Sequence, residues 1–94
     1  MKRALLLLVL AGCATVIPEP TMEMAGGDAA SFETLREGRR LYVAKCSGCH
    51  ALIAPGTRAD DVWREEVDEM LHKKKIRLAS GDREKLIAYL TAAN

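Results

Sequence analysis

The chain has 94 residues, with 14 Lys and Arg against 13 Asp and Glu, a formal net charge of +1. That balance lacks the strongly basic footprint of a nucleic-acid-binding domain, and the length allows one small domain. Three cysteines, Cys13, Cys46 and Cys49, are too few for a disulfide scaffold.

In chain order, Lys2 and Arg3 form a positive start and Ala4 to Leu10 a short apolar run. A bilayer span needs about 20 apolar residues, so this run has the form of an export signal instead. It ends in Leu10-Ala11-Gly12-Cys13, which resembles a bacterial lipobox. The resemblance implies removal of residues 1–12 and acylation of Cys13, anchoring the exported chain to a membrane facing the periplasm. Ala14 after the cysteine favours the outer membrane under Gram-negative sorting rules. The alternative is an ordinary secretory signal that leaves Cys13 as an odd free thiol. Loss of Lys2 and Arg3 leaves twelve basic against thirteen acidic residues, so the mature charge is near −1.

Residues 13–30 contain Pro18, Pro20, Gly26 and Gly27 with no sustained periodicity, and are expected to form a flexible tether. Such a chain has an r.m.s. reach of roughly 20–25 Å. Met22 and Met24 are incidental to it. The folded domain is then expected over 31–94 and, lacking any strand pattern of useful length, to be all-α. At that size a core built from protein alone is marginal, and a bound cofactor would supply much of the interior.

The first helix is expected from Ser31, as N-cap, through Leu35, Gly38, Leu41 and Tyr42. Leu35, Gly38 and Tyr42 share one face, and Gly38 permits close approach of another helix. Directly after it comes Cys46-Ser47-Gly48-Cys49-His50. Two thiols at this spacing can each add across a porphyrin vinyl group, and the next histidine is held beneath the iron as an axial ligand. The run thus predicts one haem c bonded through Cys46 and Cys49, with His50 on the metal. A thioredoxin-like motif would follow a strand in a βαβ pattern, and none is visible. A structural zinc site needs four ligands, and outside the run only Cys13 and His72 remain, far apart. Haem c is attached outside the cytoplasm in bacteria, which agrees with the export signal.

Ala51 to Ala59 is expected to be a loop, punctuated by Pro55-Gly56. A second helix follows Asp60 or Asp61 as cap, with Trp63, Val67, Met70 and Leu71 at i, i+4, i+7, i+8 spacing. Lys73-Lys74-Lys75 suits a solvated helix end, or a patch for an acidic redox partner. A third helix begins after Ser80-Gly81-Asp82 and carries Leu86, Ile87 and Leu90.

Gly38-x-x-Leu41-Tyr42, the haem motif and Asp82-Arg83-Glu84-Lys85-Leu86-Ile87-Ala88-Tyr89-Leu90 together resemble the small class I c-type cytochromes over about residues 31–94. That resemblance implies three main helices around a covalent haem. The first and last of them would cross near a glycine and an aromatic residue. Trp63 to Met70 is also similar to a segment in cytochrome subunits of periplasmic dehydrogenases such as sulfite dehydrogenase.

The family usually supplies a distal methionine, and the candidates downstream of the motif are Met70 and His72. With Trp63 at 0° and about 100° per residue, Met70 falls near −20° and His72 near 180°. Met70 therefore shares the apolar face, whereas His72 joins it only if the helix ends at Leu71. Trp63 offers an indole N–H and Arg58 a guanidinium to a haem propionate. The Pro55 carbonyl is a candidate partner for the other ring nitrogen of His50.

A filled distal site predicts a monomeric electron carrier rather than an enzyme. It would exchange single electrons with periplasmic or membrane redox proteins, a periplasmic dehydrogenase among them. An open site predicts a haem-based gas sensor or ligand-binding lipoprotein instead; a peroxidase lacks an acid–base residue beyond His72.

Overall fold

A computed structural model of the chain describes residues 16–48 and 51–94. Cys13, Cys49 and His50, and with them the expected signal and the end of the Cys-x-x-Cys-His run, lie outside the described residues. Three helices carry the architecture: α1 (Ala29–Cys46), α2 (Asp60–His72) and α3 (Asp82–Ala92), with a single 3₁₀ turn at Pro55–Thr57. The all-helical class expected from the periodicity is found. Among the described residues no helix is long and apolar enough to cross a membrane.

Helix α1 begins two residues before the expected Ser31, because Asp28 is the cap. Its Oδ2 accepts from the Ser31 backbone N–H at 2.8 Å and from the Ser31 hydroxyl at 2.7 Å. Both residues can play the capping role, and the acceptor-only carboxylate takes the orphan N–H while serine sits inside the first turn. Ala59, not either aspartate, occupies the N-cap of α2 and makes no side-chain cap bond. Asp60 and Asp61 lie in the first turn instead, where their charges still complement the helix dipole. Gly81 precedes α3 in the left-handed region at φ 86°, a conformation suited to residues without a Cβ.

Helices α1 and α3 cross at Gly38. A Cβ built there would stand 2.1 Å from the Lys85 carbonyl oxygen and 2.7 Å from the Tyr89 Cβ. The two backbones thus approach as closely as glycine allows, which buries Leu41, Tyr42, Leu86, Tyr89 and Leu90 together. Trp63 and Val67 of α2 close this core from the third side. Tyr42 packs edge-on to Trp63 with centroids 5.8 Å apart and tilts against Tyr89 at 6.3 Å, separations at which aromatic pairs attract. Arg83 ties α3 to α2 through both Asp68 oxygens, at 2.6 and 2.9 Å.

The described part of the expected tether is not free. Ile17 packs against the core and Ala25 is buried. The Pro18 carbonyl accepts from the Tyr89 hydroxyl at 2.6 Å and from Arg39 Nε at 3.2 Å, while Arg39 Nη2 donates to the Ile17 carbonyl at 3.1 Å. Proline and glycine break periodicity without releasing the chain. Here the half-buried carbonyls of the strap accept from a tyrosine of α3 and an arginine of α1.

Two outcomes follow. Gly38→Ala should destabilise the fold by about 3 kcal/mol in chemical denaturation, because the added methyl meets backbone and not a yielding side chain. The Arg83 guanidinium holds the Asp68 carboxyl below its ordinary 3.8. A carboxyl lowered by folding stabilises the native state above its unfolded value, and that contribution is lost as pH falls through the folded value. Melting temperatures measured from about pH 6 down to about pH 2 should therefore fall less steeply in Asp68→Asn than in the wild type below about pH 4.

Candidate functional site

Cys46 is the last residue of α1, one turn beyond Tyr42 on the buried side of the helix. Ser47 follows as the C-cap and donates its hydroxyl to the Val43 carbonyl at 2.7 Å. The first thiol of the motif is therefore carried on a rigid element and the remainder on the chain leaving it. Beside Cys46 opens a cleft of about 290 Å³. Its walls come from Tyr42 and Cys46 of α1, Ile53 and Arg58 of the following loop, Trp63, Val67 and Met70 of α2, and Ile76 and Leu90.

The cleft is apolar within and charged at its mouth. Trp63, Val67, Ile76 and Leu90 are buried. Arg58 Nε pairs with Glu66 Oε1 at 2.6 Å, and Lys73 Nζ with Glu69 Oε1 at 2.6 Å, all four residues lining the opening. An apolar slot rimmed by paired cations and carboxylates suits a flat apolar ligand with a polar edge. Haem is such a group, and the residues present fit it: a thiol on one wall, a thioether on another and arginine and lysine at the rim.

Met70 and Cys46 line the same cleft from different helices. His72 does not line it; α2 continues through His72, whose side chain is exposed. The helical-wheel argument that separated them thus agrees with their positions. What holds Met70 there is the end of α2. The Lys75 N–H donates to the Met70 carbonyl at 2.9 Å and the Lys74 N–H to the Leu71 carbonyl at 3.1 Å, with Lys74 at φ 56°. This pair of bonds with a left-handed residue between is the Schellman closure of a helix. It turns the chain so that Ile76 re-enters the core beneath Met70's own turn.

The loop that shapes the near wall is tied down by two aromatic side chains. The Tyr42 hydroxyl donates to the Ile53 carbonyl at 2.5 Å and accepts from the Ile53 N–H at 3.1 Å. Burial pushes the Tyr42 phenol pKa up, so the proton needed for the first bond is retained. Trp63 Nε1 donates to the Pro55 carbonyl at 2.9 Å, and the Arg58 N–H reaches the same oxygen at 3.4 Å.

One sequence expectation is corrected by this arrangement. The Trp63 indole is committed to Pro55 and not to a propionate. The Pro55 carbonyl accepts from both Trp63 and Arg58; its expected pairing with His50 involves a residue outside the described ones. Only the fold could show this, since Pro55 and Trp63 are eight residues apart in the chain with a helix start between them. Arg58 does lie at the cleft, with its guanidinium 5.2 Å from the Trp63 ring centroid.

The Ile53 clamp and the Glu66 and Glu69 partners were not anticipated. The signal for Glu66 and Glu69 was their position three and six residues after Trp63 on one side of α2. A larger groove, about 780 Å³, lies on the outer side of α1 among Glu19, Glu33, Arg36, Glu37, Arg40 and Lys85. It contains neither Cys46 nor Met70.

Among the described residues no three His, Cys, Asp or Glu side chains gather as a metal site. Compared with protein-family models, with curated proteins and with solved structures, the chain has no match.

Lys74 occupies a position where an L-residue is strained and glycine is not. Lys74→Gly should raise stability by about 0.5–1 kcal/mol in thermal or denaturant unfolding while leaving the Met70 environment in place.

Proposed function

We propose that the chain is a membrane-anchored, mono-haem c-type cytochrome that passes single electrons between periplasmic redox proteins. The observation that carries this reading is the convergence of Cys46 and Met70, from two helices, on one apolar cleft beside the Cys-x-x-Cys-His run. When bound, haem c supplies a one-electron iron couple.

In this reading Cys46 and Cys49 would hold the porphyrin through thioether bonds, and His50 and Met70 would bind its iron. Trp63, Val67, Ile76 and Leu90 exclude water from the cleft. A thioether ligand and a dry surround both favour the reduced state and raise the potential. Arg58 and Lys73 stand at the rim, where exchange of their carboxylate partners would let them meet the propionate edge. With both His50 and Met70 on the iron no position would be left for substrate, which would suit outer-sphere transfer and not catalysis. Lipid on Cys13 keeps the domain at the membrane, outer by the Ala14 rule.

The test is optical. Oxidised protein should show the weak near-infrared band of thioether–ferric coordination, and reduced wild type should not bind carbon monoxide. Met70→Ala should abolish the band and open the site to carbon monoxide. Survival of the band in that variant removes Met70 as ligand. Ready carbon monoxide binding by untreated wild type replaces the electron carrier with the haem-based sensor or ligand-binding lipoprotein.

A further inference from the structure

The strap at Ile17–Pro18 sets how far the domain can stand from its anchor. Arg39 donates to both carbonyls and pairs with Glu19 at 3.2 Å, while Tyr89 donates to Pro18 from the centre of the α1–α3 contact. Only residues 14–16 separate this fastening from Cys13. Four residue steps span at most about 14 Å even when fully extended. The groove on the outer side of α1 begins at Glu19 and Pro20, the next residues of the strap. Three of the four large apolar side chains most exposed among the described residues lie in the strap or the groove: Val16, Met22 and Val43.

Charge is arranged to match. Helix α1 carries Arg36, Arg39, Arg40 and Lys45 against Glu33 and Glu37, whereas α2 carries six carboxylates against Arg64 alone. Arg36 and Arg40 pair with Glu33 and Glu37 yet leave about 60% of their side chains exposed, 59% and 61%. A guanidinium has five N–H donors, so a carboxylate partner does not exhaust it, and phosphate suits its remaining fork. The other basic run, Lys73–Lys75 with Arg77, follows α2 and shares its acidic surroundings; Lys73 is paired with Glu69.

We propose that the α1 groove is a membrane-docking surface, held by the short leash against the anionic phospholipid headgroups of the membrane in which Cys13 is anchored. The proposal rests on the reading of Cys13 as lipidated. Around α1, Tyr42 and Cys46 lie about 120–180° from Glu37 and Arg40 at about 100° per residue. Docking by the groove therefore turns the Cys46–Met70 cleft away from the bilayer, towards soluble partners. Attraction to the headgroups acts within about a Debye length and weakens with salt, and the leash keeps the groove within that range.

The experiment uses the full lipidated holoprotein, reconstituted in vesicles of phosphatidylcholine with phosphatidylglycerol, or of phosphatidylcholine alone. Arginine-directed labelling is then read by mass spectrometry. With phosphatidylglycerol present, labelling of Arg36 and Arg40 should slow several-fold relative to phosphatidylcholine alone and recover at high salt, while Arg64 and Arg77 stay unchanged. If the protein floats with the vesicles but Arg36 and Arg40 label as fast as Arg64, docking is refuted and lipidation stands. Protection of Arg77 in their place also refutes it. If the protein does not float and its mass shows no acyl chains on Cys13, the lipoprotein reading fails and the docking surface fails with it.

Discussion

Helices α1 and α3 meet backbone against backbone at the point where Gly38 of α1 lies on Lys85 and Tyr89 of α3, leaving no room for a Cβ. Everything near the cleft is referenced to it. Because the two helices touch without intervening side chains, Leu41 and Tyr42 on one and Leu86 and Leu90 on the other are driven into a shared interior. Tyr42 is then deep enough to reach the Ile53 backbone, and Cys46, one turn further on, is delivered to the edge of the core and not to its surface. A wider crossing would move both.

From that contact a second layer of constraint spreads through polar groups that burial obliges to pair. The Tyr42 hydroxyl, the Trp63 indole and the Tyr89 hydroxyl each find a backbone carbonyl, in Ile53, Pro55 and Pro18 respectively. In each case a buried aromatic ring supplies apolar area and its single polar atom fastens an irregular segment that has no helical bonds of its own. The loop between the haem motif and α2 owes its course to two of these bonds. The strap ahead of α1 owes its course to the third, together with Arg39. A segment rich in proline and glycine is thereby converted from a spacer into a part of the domain surface.

That conversion changes the functional argument. A free tether would let the domain turn in any direction beneath the proposed anchor, and partner encounter would depend on diffusion within that reach. A strap fastened at Ile17 and Pro18 belongs to the domain and gives it two unequal sides. One carries paired arginines, the other the apolar cleft with Met70 at its wall. For a proposed electron carrier, the exposure of one cleft edge to solution matters as much as the ligands inside it.

Composition, spacing and periodicity alone determined the helical class, the face of α2 that carries Trp63, Val67 and Met70, the role of Gly38, and the Cys-x-x-Cys-His run on which the haem proposal rests. These are local or periodic properties, and a helix at about 100° per residue converts them directly into geometry. They also separated Met70 from His72, because two residues apart on a helix means opposite faces. Tertiary structure alone decided which polar atoms met which. Asp28 displaced Ser31 as cap by a difference in acceptor strength at short range. The Trp63–Pro55 bond took the indole N–H that a propionate was expected to meet, and the docking of Ile17–Pro18 on Arg39 and Tyr89 joins residues as many as 71 positions apart. Such pairings depend on where burial leaves a donor without water, and that is settled only when the helices have packed.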